Sequence, residues 1–315
     1  MKQGRIHPLG LWKGLCVTDF GPERGFPVVL LHGTPGSRLS QHPTEAQLHD
    51  LGVRLITYDR PGYGRSRPRP GRSVADAADD VGMIADRLEL DRFAVIGRSG
   101  GGPHALACAA LLPEDRVVGA ASLGGLAPFD ADALDWFDGM VEMNRRHYAA
   151  AASRDRSALN ELVVPIVEAM RADSGYLVQQ IAGHGTGDDR TRLQDTEYHG
   201  MILAGTAESV EICMEGWLAD SLAFTRPWGF RLELIRVPVL FWHGRDDTFS
   251  PPAHSRWLAR RIRGSELIEA PHLSHLAAAD AQLDALAWLL ELAPDTDRRR
   301  QAADRLRDAG PVGGG

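Results

Sequence analysis

Short apolar runs alternate with helical patterns along most of the chain, and this alternation constrains the fold more than any other feature. Runs typical of buried strands occur at residues 28–31, 53–57, 93–96, 117–123, 239–242 and 266–268. Between two of these runs, residues 73–90 place apolar side chains at helical spacing. Strands that alternate with helices form βαβ units, in which helices cover both faces of a parallel sheet. The sequence therefore predicts an α/β protein with a mostly parallel, doubly wound sheet.

The alternation stops near residue 128 and resumes near residue 237, and the intervening sequence is mostly helical in pattern. We therefore expect a core of residues 1–129 and 232–295 and a helical lid of residues 130–231 inserted over the sheet. The last segment, residues 296–315, is charged and then glycine-rich, which predicts a flexible tail.

Composition narrows the class of protein. The net charge of −7 comes from 35 basic and 42 acidic residues, without the basic excess that is typical of nucleic-acid binding. Three widely spaced cysteines indicate neither disulfides nor a zinc site. Because no stretch approaches the roughly 18 apolar residues needed to span a bilayer, we expect a cytoplasmic protein that has no membrane partner. The expected partner is a small-molecule substrate, and a homodimer remains open.

One strand-like run leads directly into a Gly-x-Ser-x-Gly motif formed by Gly97, Ser99 and Gly101. In a tight turn from strand to helix, small residues two positions either side of a serine let the backbone bend and leave the hydroxyl exposed. The helix that follows aims its N-terminal N–H groups at any anion formed there. The motif predicts Ser99 as a nucleophile, whereas a glycine-rich turn without chemistry is the alternative.

A second loop, His32-Gly33-Thr34-Pro35-Gly36, follows the first strong strand. We expect the backbone N–H groups of Thr34 and Gly100 to converge as an oxyanion hole, since two such donors are the usual electrostatic element of acyl transfer. An ordinary turn would also explain the proline and glycines.

Two later strand ends offer an acid and a base. Asp246 and Asp247 follow one strand and can orient an imidazole, while His272 and His275 follow the last strand and can act as the base. The order Ser, Asp, His along the chain is typical of one hydrolase fold. Because this chemistry needs only side chains and backbone groups, we expect no cofactor and no metal.

From about residue 10 to residue 292, these motifs resemble the α/β-hydrolase superfamily, and most closely its bacterial serine hydrolases with a helical lid. Gly244, Asp247 and Pro251 match the family's spacing after the second-last strand, so the resemblance selects Asp247. His272 aligns better than His275 with the family's base, although Pro271 stands where the family usually has glycine. The resemblance implies an esterase-like enzyme that cleaves a carboxylic ester or thioester of a small, largely apolar substrate through an acyl-enzyme.

Three side chains are candidates for substrate binding. Arg98 precedes the nucleophile and is hypothesised to attract an anionic substrate group, although a local salt bridge that points it aside is the alternative. Trp136 and Met140, at helical spacing in the expected lid, are hypothesised to form an apolar wall; packing within the lid is the alternative for them.

Other functions on the same scaffold stay open. A proline iminopeptidase-like aminopeptidase shares the loop at residues 32–36, except that Thr34 stands where that group usually has a second glycine. A lyase would use the same three residues without an acyl-enzyme, and a ligand receptor would bind without turnover.

Overall fold

We describe residues 5–7 and 14–293 from a computed structural model. The described elements form a sheet with helices on its two faces. The strands are β1 (Arg5–His7), β2 (Val17–Phe20), β3 (Phe26–Leu31), β4 (Val53–Tyr58), β5 (Phe93–Arg98), β6 (Val117–Leu123), β7 (Val239–Gly244) and β8 (Ser265–Ala270). The helices are α1 (Glu45–Leu51), α2 (Asp76–Arg87), α3 (Gly101–Leu111), α4 (Glu142–Ala152), α5 (Arg156–Ala172), α6 (Tyr176–His184), α7 (Gly187–Arg192), α8 (Thr196–Ser209), α9 (Glu215–Phe224), α10 (Ala253–Ala259) and α11 (Ala281–Glu291).

The eight strands lie in the order β1-β2-β4-β3-β5-β6-β7-β8. β1 pairs antiparallel with β2, β2 pairs antiparallel with β4, and all remaining pairs are parallel. The predicted α/β class and mostly parallel sheet are confirmed. The carboxyl ends of β3, β5, β7 and β8 consequently meet at one edge of the sheet, where ligands bind in open α/β sheets.

Successive side chains of the central strands enter two different hydrophobic cores. Val29 and Val95 pack with α2 and α3 on one face, while Val28 and Ala94 pack with α1 and α11 on the other. Because neighbouring side chains of a strand point to opposite faces, a strand buried on both faces is apolar at every position. This explains why the runs found in the sequence are continuous and do not alternate with polar residues.

Six helices, α4 to α9, lie between β6 and β7 in the chain and are called the cap helices below. They carry an apolar cluster of their own, centred on Leu159, Val163 and Leu218, which also includes Tyr63 from the loop after β4. The predicted lid of residues 130–231 encloses these helices. The predicted tail, residues 296–315, lies outside the described residues.

Candidate active site

Ser99 lies in the turn between β5 and α3, in a left-handed backbone conformation with φ of 53°. This conformation is uncommon for a residue other than glycine. A Cβ atom at Gly97 would lie 2.1 Å from the carbonyl oxygen of Gly101, and one at Gly101 would lie 2.0 Å from that of Leu31. The two glycines therefore let β5, α3 and β3 approach one another closely enough to form the turn.

A chain of hydrogen bonds links Ser99 to His275 and Asp247. The Nε2 atom of His275 lies 3.0 Å from Ser99 Oγ, and its Nδ1 atom lies 2.7 Å from Asp247 Oδ2. Since an ionised carboxylate only accepts hydrogen bonds, Nδ1 of His275 carries a proton, and Nε2 of the neutral ring is left to accept the proton of Ser99. The three residues are held in the arrangement that nucleophilic catalysis by serine requires.

His275 takes the position that we predicted for His272, and that prediction is wrong. His272 is exposed, has φ of 62°, and lies in the turn directly after β8. The chain then returns toward β7, where Leu273 accepts a hydrogen bond from the N–H of Asp246 at 3.0 Å. Only after this return does a side chain reach Ser99, three residues later than the family's spacing implies.

A cap helix accepts hydrogen bonds from the residues on either side of His275 in the sequence. The carboxylate of Asp189, in α7, accepts from Ser274 Oγ at 2.7 Å and from the N–H of Leu276 at 3.0 Å. Asp189 itself is fully buried. Sequence reasoning missed this residue; the available signal was the pair Thr186 and Asp189, which form the capping box of α7 and so mark the helix start.

Charge around the imidazole is arranged to keep Asp247 ionised. Burial alone would raise the pKa of Asp247, but His275 and His243 outweigh burial and hold this pKa below its ordinary value. The N–H groups of Phe249 and Ser250 also donate to Asp247 Oδ1, both at 2.9 Å. For His275, burial lowers the pKa, but the Asp247 carboxylate outweighs this effect and raises it above 6.5.

The predicted oxyanion loop lies beside Ser99. A Cβ atom at Gly33 would lie 3.4 Å from Ser99 Cβ, and one at Gly100 would lie 2.3 Å from Thr34 Oγ1. Within the described part of the chain, the N–H groups of Thr34 and Gly100 donate to no acceptor. Both predicted donors therefore belong to segments that adjoin Ser99, and their role as an oxyanion hole stays a prediction.

A buried ionic cluster supports this loop from behind. Arg60 donates from Nη1 to the carbonyl oxygen of His32, and from Nη2 to that of Gly33 at 3.0 Å and to Asp220 at 2.6 Å. Asp220 also accepts from Thr34 Oγ1 at 2.7 Å and pairs with Arg72 at 2.6 Å. Burial would raise the pKa of Asp220, but the two arginines outweigh it and hold this pKa well below its ordinary value. The predictions did not include Arg60 or Asp220.

A cavity of about 400 Å³ opens onto Ser99 and His275 beneath the cap helices. Much of its lining is apolar or aromatic, including Leu126, Met143, Tyr148, Leu162, Ile166, Leu177, Ile181, Tyr198, Ile202, Trp217, Phe249 and Leu276. The volume falls within the usual range for small-molecule sites.

Trp136 and Met140 do not line this cavity, so their predicted contact with substrate is wrong. Both are buried in the core beside the sheet, and Trp136 donates from Nε1 to the carbonyl oxygen of Ala127 at 2.9 Å. The prediction assumed a helix over these positions, but residues 131–140 form turns and α4 begins only at Glu142. Met143, three residues further along the chain in α4, does reach the cavity.

Arg98 reaches the cavity, and the predicted alternative, a local salt bridge, is not formed. Its Nη2 donates to Gln41 Oε1, and no carboxylate of the described residues pairs with its guanidinium. Burial lowers the pKa of Arg98.

Residues 5–7 and 14–293 contain no group of three or more His, Cys, Asp or Glu side chains able to hold a metal ion. None of the helices in this part of the chain is long and apolar enough to cross a membrane.

Comparison with known proteins shows which family the chain belongs to. The family model described as alpha/beta hydrolase fold matches residues 27–161. The chain is 34% identical over 285 residues to the magnesium-chelatase 30 kDa subunit of Rhodobacter capsulatus, covering 88% of this chain and 89% of that protein. It is 32% identical over 263 residues to a bifunctional esterase/perhydrolase of Acinetobacter calcoaceticus, covering 82% and 87%.

A crystal structure of bromoperoxidase from Bacillus anthracis has the same fold, with a TM-score of 0.66 and 24% identity over 88% of this chain and 95% of that one. The relatives carry different activities in their names, so they identify a scaffold and not a substrate. With a matching family model and identity above 30% over most of both chains, this chain belongs to the alpha/beta hydrolase family.

Proposed function

We propose that this protein is a serine hydrolase that cleaves a carboxylic ester or thioester of a small, largely apolar substrate. The observation that carries the proposal is the continuous hydrogen-bonded chain from Ser99 Oγ through His275 to Asp247. The esterase/perhydrolase of Acinetobacter calcoaceticus gives independent support, since its name records ester chemistry on a related sequence.

The reaction begins when Ser99 Oγ attacks the ester carbonyl carbon and His275 Nε2 takes the hydroxyl proton. Negative charge develops on the carbonyl oxygen, toward which the N–H groups of Thr34 and Gly100 are free to donate. One such donor is worth about 3 kcal/mol of barrier. His275 then gives its proton to the leaving alcohol or thiol, and the acyl group remains on Ser99.

Water completes the cycle. His275, neutral again, takes a proton from a water molecule that attacks the acyl-enzyme. As the second tetrahedral intermediate collapses, His275 returns this proton to Ser99 Oγ and the free acid leaves. Throughout, Asp247 keeps the ring in one tautomer and stabilises its protonated form. The apolar cavity wall favours an apolar acyl or alcohol portion.

The direct test is covalent labelling of Ser99 combined with an ester panel. A fluorophosphonate should add one label per chain, located on Ser99 by peptide mass spectrometry, and the Ser99→Ala protein should remain unlabelled. The unlabelled enzyme should hydrolyse p-nitrophenyl esters between acetate and decanoate, with an optimum chain length set by the cavity. Absence of both labelling and hydrolysis would refute the proposal and favour a receptor.

Activity should rise with pH through a midpoint above 6.5, the ordinary pKa of histidine. Protonated His275 cannot accept the proton of Ser99, so activity is lost as pH falls through the raised pKa of the ring. The measurement is kcat/KM for a neutral ester between about pH 5 and 9 at constant ionic strength. A midpoint below 6.5 would contradict the dominance of the Asp247 carboxylate over burial.

A further inference from the structure

Arg98 is a cation in the cavity wall, and within residues 5–7 and 14–293 no carboxylate pairs with it. Its only hydrogen-bond partner among the described residues is the neutral amide oxygen of Gln41. The arginines nearby are paired: Arg38 contacts Asp59 and Glu208, and Arg60 contacts Asp220. A charge removed from bulk water without a partner is costly, and buried charges in proteins are normally paired.

Arg98 differs from the other charged residues that line the cavity. Glu142 supplies the one carboxylate among the described lining residues, and its side chain is 73% exposed and lies 3.7 Å from Arg145. Arg146, the other lining arginine, is also exposed. Arg98, by contrast, is partly buried and directly precedes Ser99 in the chain. The described lining is therefore mostly apolar by area, and Arg98 is its one partly buried arginine.

We propose that Arg98 binds a free carboxylate on the substrate, so that the physiological ester is an anion with an apolar body. Gln41 holds one edge of the guanidinium, which leaves its remaining N–H groups for a carboxylate. This inference rests on the proposed ester hydrolysis for its catalytic consequence, but the binding of a carboxylate does not require turnover. The carboxylate belongs either to the acyl part or to the leaving group.

The experiment compares esters that differ in one charge. In the first pair, monomethyl glutarate carries a negative charge in its acyl part and methyl 4-carbamoylbutanoate, its terminal amide, is neutral. In the second pair, O-acetyl-3-hydroxybutanoate carries the charge in its leaving group and its amide is neutral. Wild type should prefer the anionic member of at least one pair. In Arg98→Gln the ratio of kcat/KM for anion over amide should fall about ten- to a hundredfold, mainly through KM. Arg98→Lys should retain part of the preference, since it keeps the charge but loses the bidentate geometry.

Two controls separate this role from a structural one. Arg231→Gln removes the same charge from a side chain that is 80% exposed, and it should leave the ratio unchanged. Because Arg98 makes no salt bridge with a described residue, Arg98→Gln should change the melting temperature little, whereas loss of a structural ion pair would lower it. An equal loss of activity on both members of each pair, or a wild-type preference for the amides, would overturn the proposal.

A binding measurement keeps the inference distinct from the proposed function. Glutarate should bind to Ser99→Ala protein in isothermal titration calorimetry, and adding Arg98→Gln should weaken that binding about tenfold or more. If wild type hydrolyses no ester yet glutarate binding depends on Arg98, the proposed function fails and the anion site stands. If esters are hydrolysed but glutarate binding is insensitive to Arg98, the anion site fails alone.

Discussion

Replacing His275 by asparagine should reduce kcat for ester hydrolysis by about a millionfold, whereas the same replacement at His272 should leave it within about threefold of wild type. His275 is the only described imidazole in contact with Ser99 Oγ, at 3.0 Å, and without it the hydroxyl has no base. His272 lies in an exposed turn and is not among the residues that line the cavity. Asparagine is chosen because it tolerates the left-handed conformation at position 272 better than most residues.

The measurement is steady-state hydrolysis of the best ester from the panel, with unfolding curves for both variants to verify that they fold. The pair of variants is matched in chemistry and differs only in position along one loop. A large loss in His272→Asn together with an active His275→Asn enzyme would reverse the assignment of the base.

Replacing Asp220 by asparagine should lower the free energy of unfolding by about 3–5 kcal/mol. Its carboxylate, fully buried, lies 2.6 Å from both Arg60 and Arg72, and the substitution leaves two buried guanidinium groups without a counter-charge. For a domain of this size the loss corresponds to a fall in melting temperature of about 10 °C.

The control is Asp86→Asn, which breaks the ion pair with Arg116 at 2.7 Å, where the Asp86 side chain is 68% exposed. Exposed pairs contribute about 1 kcal/mol or less. Chemical denaturation of the three proteins compares the two effects directly. A loss in Asp220→Asn no larger than in Asp86→Asn would show that Asp220 is not the counter-ion on which the cluster depends.

The sheet, Ser99 and Asp247 could be predicted from the sequence. A buried strand and the turn at its end are each encoded within about ten neighbouring residues, and the glycines at 97 and 101 are required by the turn itself. Asp246 and Asp247 both follow β7 within three residues, and the family's spacing of Gly244, Asp247 and Pro251 selected Asp247 between them.

The base could not be chosen in the same way, because the path after β8 depends on distant contacts. The loop that carries His275 to Ser99 folds back on β7. Asp189, more than eighty residues earlier in the chain, accepts hydrogen bonds from this loop. Trp136 and Met140 were misplaced because helical spacing was assumed where the chain forms turns. The contacts of Asp189 with the His275 loop and of Asp220 with Arg60 and Arg72 join residues remote in sequence, and a local pattern does not reveal such pairs.

The pairing of β6 with β7 encloses residues 124–238 as one long loop, from which the cap helices are built. The entropy of closing a loop rises only logarithmically with its length, so the core can accept caps of very different size at little thermodynamic expense. Exchange of this segment between relatives is thus a simple route to new cavities above an unchanged nucleophile. A transplanted cap must nevertheless bring its own equivalents of two carboxylates, one facing Arg60 and Arg72 and one facing the loop of His275. Grafts that lack them should fold poorly or leave the base misplaced, however well their apolar walls fit a new substrate.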